Sequence, residues 1–204
     1  MKDSLLKSVP ILTFHKVDAS FEWGVTRNTP RQFESFLKYL KDESYKTVSL
    51  QSLIQSSSSF PAKPVVLTFD DTYESVYTQA FPLLKAYGFF ATVFILTGYI
   101  GKINFWDVNL GGCTFKHLSW DEILDLHKAG FEIGSHTVHH YDLTRIPLKS
   151  IRNELERSKK TLEDKIGVEI PFIAFPFGRF NRRTIDIALE VGYRKGCGAI
   201  VGNS

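Results

Sequence analysis

Two rhythms of apolar residues alternate along the chain. Short β-branched and aromatic runs are followed by stretches whose apolar positions recur at helical spacing. Val9-Pro10-Ile11-Leu12-Thr13-Phe14 predicts a first strand. Thr29-Pro30-Arg31-Gln32 predicts a helix start, with Thr29 as N-cap, Pro30 at the first helical position and Gln32 closing a capping box. Phe33, Phe36, Leu37 and Leu40 then give that helix one apolar face. Residues 56–59, all serine, read as a polar loop. Val65-Val66-Leu67-Thr68-Phe69 is a continuous apolar run, the mark of a strand buried on both faces in a parallel sheet.

The alternation continues towards the C-terminus. A helix is predicted over 79–87, with Pro82 near its start and Gly88 as its stop. Residues 90–97 form the next strand, and 98–118 a long loop carrying Trp106 and Phe115. Ser119-Trp120-Asp121-Glu122 is a second capping box, opening a helix that stops near Gly130. A strand over 131–134 precedes a helix whose face is Ile151, Leu155, Ser158 and Leu162 and which ends before Gly167. A strand over 172–177, a helix over 183–191 and an extended segment over 193–201 complete the pattern. This β-α-β-α order predicts an α/β fold with a parallel sheet, open or closed into a barrel. In either form, ligands gather at the C-terminal ends of the strands.

Composition narrows the function. The 204 residues include 25 Lys and Arg against 22 Asp and Glu, a net charge of +3 with no block of like charges. A nucleic-acid partner is therefore not indicated. No apolar run approaches the roughly 20 residues of a membrane span. Residues 1–204 carry no internal repeat or linker and are expected to form a single domain. Cys113 and Cys197 fit no metal-binding spacing and are expected to be free thiols. Met1-Lys2-Asp3-Ser4-Leu5-Leu6-Lys7 lacks the apolar stretch of a secretory signal. That places a complete chain in the cytoplasm, and one from which a leader has been removed outside the cell or in the periplasm.

Three strand ends carry candidate chemistry. The 65–69 strand runs straight into Asp70 and Asp71. Two adjacent carboxylates at a buried strand end cap the following helix, or need a cation or a shared proton to offset them. The 131–134 strand runs into Ser135-His136-Thr137-Val138-His139-His140. His136 and His140, or His136 and His139, can be aimed at one point from a turn or tight loop. The 172–177 strand ends in Pro176-Phe177-Gly178, a turn that either connects to the next helix or offers an aromatic wall and backbone N–H groups to a ligand. Together, the Asp70/Asp71 pair and His136/His140 make a site of two imidazoles and one carboxylate, with a spare carboxylate to serve as base. That set suits a divalent metal and a metal-assisted hydrolase acting on an amide or ester.

These residues resemble the polysaccharide deacetylases of the NodB-homology type, carbohydrate esterase family 4. The resemblance is carried by Thr68-Phe69-Asp70-Asp71, by His136-Thr137-Val138-His139-His140 with His136 65 positions after Asp71, by Ser119-Trp120-Asp121-Glu122 followed by Gly130 to His136, and by Pro10 to Val17. It covers residues 9–197. It implies a distorted (β/α) barrel of about seven parallel strands, with Asp71, His136 and His140 as metal ligands and Asp70 as general base. It implies further that the backbone N–H of Phe177 stabilises an oxyanion. Many members take their general acid from a Leu-x-His segment near the C-terminus, which this sequence lacks. The chain is similar instead to the circularly permuted subgroup of exopolysaccharide (poly-β-1,6-N-acetylglucosamine) deacetylases, which implies His15 as the acid. Three positions depart from the family pattern: Thr72 replaces a common Gly, Phe177 replaces a common Tyr, and Ile173 stands where an Arg often orients the base.

The expected activity is removal of acetyl groups from N-acetylhexosamine units of a polysaccharide. The expected cofactor is a divalent metal, zinc by default, with cobalt or nickel also compatible. Pro176, Phe177, Gly178 and Trp120 are expected to bind the acetylated carbohydrate, and Trp106 and Phe180 to add stacking surface. The competing readings are a non-catalytic glycan-binding module, and an O-acetyl esterase or small-amide deacetylase with the same metal chemistry.

Overall fold

A computed structural model describes residues 9–20, 26–55, 60–105 and 114–198. The 56–59 loop, Trp106, Cys113, the N-terminal heptapeptide and the end of the predicted 193–201 segment lie outside these residues. No helix among the described residues is long and apolar enough to cross a membrane.

Two compact units interleave along the sequence: Met1–Val93 with Gly101–Glu132, and Phe94–Ile100 with Ile133–Ser204. The elements in chain order are β1 (Ile11–Phe14), β2 (Lys16–Val17), β3 (Arg27–Asn28), α1 (Pro30–Asp42), β4 (Lys46–Thr47), α2 (Leu50–Ile54), β5 (Pro64–Phe69), α3 (Phe81–Tyr87) and β6 (Thr92–Ile95). There follow α4 (Trp120–Lys128), β7 (Glu132–Ser135), α5 (Leu148–Ile166), β8 (Phe172–Ala174), α6 (Arg182–Val191) and β9 (Lys195–Cys197). Each described ladder is parallel, as the unbroken apolar runs require.

In the first unit, β5 pairs with β1 from Ile11 opposite Val66 to Phe14 opposite Phe69. It also pairs with β4 and with the start of β6. Phe14, Phe33 and Phe69 meet with centroids 5.1 to 5.8 Å apart and lock α1 onto these strands. Such aromatic pairs are worth about 0.5–1.5 kcal/mol each beyond the area they bury. The capping box that opens α1 is formed as expected, with the Thr29 hydroxyl accepting from Gln32 N–H and the Gln32 side chain accepting from Thr29 N–H. The Ser119–Glu122 box opens α4 in the same way.

In the second unit, β8 pairs with β7 and β9. The face of α5 is the expected one, with Ile151, Leu155, Ser158 and Leu162 buried and Gly167 ending the helix in a left-handed turn. Cys197, in β9, is in no disulfide.

Two predicted elements differ in extent, and β2, β3, β4 and α2 were not predicted. The helix ending at Gly88 begins earlier, as a π-helical turn over Val76–Ala80 that runs into α3. Pro82 has no N–H to donate to the preceding turn, and the wider turn accommodates it. The strand predicted over 172–177 stops at Ala174, and Pro176–Gly178 forms a 3-10 turn. Pro176 again has no donor to continue the ladder.

One half-buried carboxylate organises the start of α2. Glu132 accepts from Leu50 N–H at 3.0 Å, Gln51 N–H at 2.9 Å and the Thr92 hydroxyl at 2.7 Å. Hydrogen bonds to a charged acceptor are the strong ones. Glu132→Ala is therefore expected to lower stability by about 2–3 kcal/mol, read from the urea midpoint.

A second carboxylate gives a pH signature. Burial alone would raise the Glu163 carboxyl, but the Ile170 N–H and the Lys159 ammonium outweigh it and hold the group below its ordinary value. A lowered folded-state value contributes stability above the unfolded value, and that contribution is lost as pH falls through the folded one. The stability gap between wild type and Glu163→Gln should narrow on acidification through this range, in denaturant titrations at stepped pH.

Candidate active site

The site residues follow strand ends, as parallel topology demands. Asp70 follows β5, and its N–H donates to Phe14 O at 2.9 Å. That bond draws the residue after β1, His15, beside the carboxylate pair. His15 Nε2 lies 4.0 Å from Asp71 Oδ2. Asp71 is buried, and His15 keeps 29% of its side chain exposed.

In the second unit, His136 N–H bonds Ile95 O at 2.8 Å, at the end of β7. Its Nδ1 lies 2.8 Å from Ala174 O. A carbonyl only accepts, so Nδ1 carries the proton and Nε2 keeps its lone pair, the form a metal ligand requires. His140 packs against His136 with centroids 4.9 Å apart and against the Phe177 ring at 4.6 Å.

Among the described residues, one group of side chains could hold a metal ion. Asp71, His136 and His140, all buried, each offer one ligand atom, and these atoms lie within 4.8 Å of one another. Two imidazoles and one carboxylate are a donor set that fits a divalent transition metal with positions left open. Of the two histidine pairs left open by spacing, the group contains His136 with His140.

His139 has a different partner. Its Nδ1 lies 2.6 Å from Glu154 Oε1, while Glu154 Oε2 accepts from Val138 N–H at 3.0 Å and His139 N–H at 2.8 Å. Ser158 Oγ adds a bond to Thr137 O at 3.1 Å and pairs with Ser135 Oγ at 2.7 Å. Helix α5 thus staples the histidine loop from its buried face. On the other side, Gly98 N–H donates to Val138 O at 2.9 Å, and a Cβ at Gly98 would meet that oxygen at 2.3 Å. Only glycine fits so close an approach.

Backbone strain marks the same segments. The non-glycine residues with positive φ among the described residues are Ser44, Asp71, Thr72, Thr137, His140 and Phe177. All except Ser44 lie in, or directly beside, the three motifs singled out by sequence. Each such residue costs about 1–3 kcal/mol unless its surroundings impose it. Thr72 and Thr137, β-branched at φ 62° and 70°, are the most unusual, and the backbone at Thr72 is one that glycine adopts without strain.

The remaining sequence candidates are also placed. Pro176, Phe177 and Gly178 form a turn whose bonds run from Gly178 N–H to Phe175 O and from Arg179 N–H to Pro176 O. Phe177 N–H lies outside both bonds, and its ring is 59% exposed. Trp120 is the first residue of α4 and is half-buried. Phe180 packs against Phe175 and is partly exposed. Arg179 donates to Asp142 Oδ2 at 2.8 Å. Burial pushes the Asp142 carboxyl up, but bonds from Thr144 and Arg179 outweigh it and hold the group below its ordinary value.

Glu154 and His117 were missed by sequence reasoning. Glu154 had a signal: it is a carboxylate adjoining the apolar face of α5. His117 sits in an irregular segment and had none.

The polysaccharide deacetylase family profile matches residues 57–196. The chain is 30% identical over 191 residues to the Bacillus subtilis (strain 168) protein YxkH, covering 92% of this chain and 63% of that protein. It is also 30% identical over 176 residues to a Staphylococcus aureus (strain MSSA476) poly-β-1,6-N-acetyl-D-glucosamine N-deacetylase, covering 81% of this chain and 58% of that protein. It thus spans about three fifths of the length of these curated relatives. Among solved structures, the Streptococcus pyogenes deacetylase PplD in complex with acetate superposes with a TM-score of 0.79 at 28% identity, covering 91% of this chain and 81% of that one. IcaB from Ammonifex degensii superposes at 0.77 with 25% identity, covering 91% and 81%. The fold and the metal-ligand group define a (β/α) domain of the NodB type. This chain belongs to the polysaccharide deacetylase family.

The staple from α5 generates a prediction. Glu154→Ala should leave the fold intact by circular dichroism and weaken zinc binding by about tenfold or more, measured by competition with a chromogenic chelator.

Proposed function

We propose that this domain is a metal-dependent hydrolase that removes acetyl groups from N-acetylhexosamine units of a polysaccharide. The observation that carries the reading is the buried Asp71, His136 and His140 group in a member of this family, with His15 4.0 Å from Asp71. The glycan preference rests on the resemblance to the S. aureus poly-β-1,6-N-acetyl-D-glucosamine N-deacetylase.

In this reading Asp71, His136 and His140 hold the metal, with zinc favoured and cobalt or nickel chemically compatible. The metal supplies Lewis-acid polarisation of the acetyl carbonyl. Asp70 takes a proton from the attacking water as the carbonyl carbon becomes tetrahedral. Phe177 N–H donates to the oxygen on which negative charge develops. His15, as imidazolium, gives its proton to the leaving amine as the C–N bond breaks, and acetate is released. The exposed ring of Phe177 and the half-buried Trp120 line the approach of the sugar.

The test is acetate release from β-1,6- and β-1,4-linked N-acetylglucosamine oligomers, after chelation and after reloading with Zn²⁺ or Co²⁺. Release should vanish on chelation, return with metal and favour the β-1,6 linkage. Asp70→Asn and His15→Ala should each lose about 10²–10⁴-fold in kcat while still binding metal. An Asp70→Asn variant at the wild-type rate would overturn the assigned base. Release only from O-acetylated sugars would establish the esterase reading. Oligomer binding without acetate release by the metal-loaded protein would establish the binding module.

A further inference from the structure

The turn that carries Asp71 into the site is held from the side by a short segment after the long loop. Glu74 N–H donates to Lys116 O at 2.8 Å, and Leu118 N–H donates to Thr72 O at 2.8 Å. Between them, His117 Nδ1 lies 2.7 Å from Asp71 O. The carbonyl only accepts, so Nδ1 carries the proton and donates. His117 is fully buried, and its own N–H is taken by Lys102 O at 2.8 Å. Its ring stacks on Tyr73 at 5.0 Å and 19°. The Lys16 ammonium lies 4.5 Å from the Tyr73 centroid and 4.4 Å from that of Phe115. The imidazole therefore belongs to a buried stack that reaches back to the residue after His15.

The backbone that this stack supports is the one that resists its own conformation. Asp71 and Thr72 are consecutive residues with φ of 64° and 62°. A side chain that donates to the Asp71 carbonyl fixes the orientation of this turn.

We infer that His117 is a positioning residue for the metal site: its Nδ1–H, donated to the Asp71 carbonyl, holds the left-handed Asp71–Thr72 turn that aims the Asp71 carboxylate. The inference rests on the proposed metal site. It requires the donor itself, beyond the bulk of the ring.

His117→Phe keeps the stacking on Tyr73 and removes the donor. His117→Asn restores an N–H donor at the same number of bonds from the backbone. Zinc affinity would be measured by chelator competition on all three proteins, with urea unfolding run in parallel. The expected result is wild-type binding, a loss of about tenfold or more in His117→Phe, and recovery of most of it in His117→Asn. Adding Thr72→Gly to His117→Phe should recover part of the affinity, because glycine adopts the turn without strain. That rescue would not follow from a merely structural role. If His117→Phe fails to fold, His117→Gln, whose amide donor sits one bond further out, replaces it and should bind zinc more weakly than His117→Asn. Equal zinc affinity across the variants, with wild type binding, overturns the inference and leaves the metal reading intact. A folded wild-type protein that binds no zinc, cobalt or nickel overturns both.

Discussion

Left-handed backbone at the candidate metal-ligand segments is the constraint around which the rest is arranged. Asp71, Thr72, Thr137 and His140 adopt a conformation that L-residues avoid, and all four lie at or directly beside a residue of the candidate metal group. Such turns let a chain leaving a buried strand reverse quickly, so that side chains only a few positions apart can converge. They persist only where neighbouring groups outweigh their cost. The neighbours here are polar and buried: His117 on the Asp71 carbonyl, and Glu154 and Ser158 on the histidine loop.

That arrangement divides the molecule's residues by task. The central strands β5 and β6 are buried and largely apolar and set where the chain emerges. The helices supply an apolar face to the strands and, at Glu154 and Ser158 of α5, a few polar groups to the emerging loop. The candidate reactive groups Asp70, Asp71, His15, His136 and His140 sit outside the strands and helices. A parallel sheet favours this division, because every strand of a β-α unit ends on the same side.

Legibility from sequence followed the range of each interaction. The capping boxes at Thr29 and Ser119 were readable because their partners are three residues apart, and the Gly88 and Gly167 stops because a single residue carries the signal. The strand over Pro64–Phe69 was readable from its unbroken apolar run. The strand ending at Ala174 was overextended, because an apolar residue after Pro176 looks the same in a strand and in a turn. The Asp-Asp and His-x-x-x-His motifs were visible, but their spacing alone left His139 and His140 equivalent.

Composition and pattern alone established an α/β chain of parallel strands, with carboxylates and imidazoles waiting at strand ends. Periodicity and caps are local, so one chain read in order contains them. Which imidazole joins Asp71, which one is taken by Glu154, and why a buried histidine 46 residues away donates to the Asp71 carbonyl are contacts between distant segments. They depend on backbone conformation and packing, which no local pattern encodes, and only the folded molecule decides them.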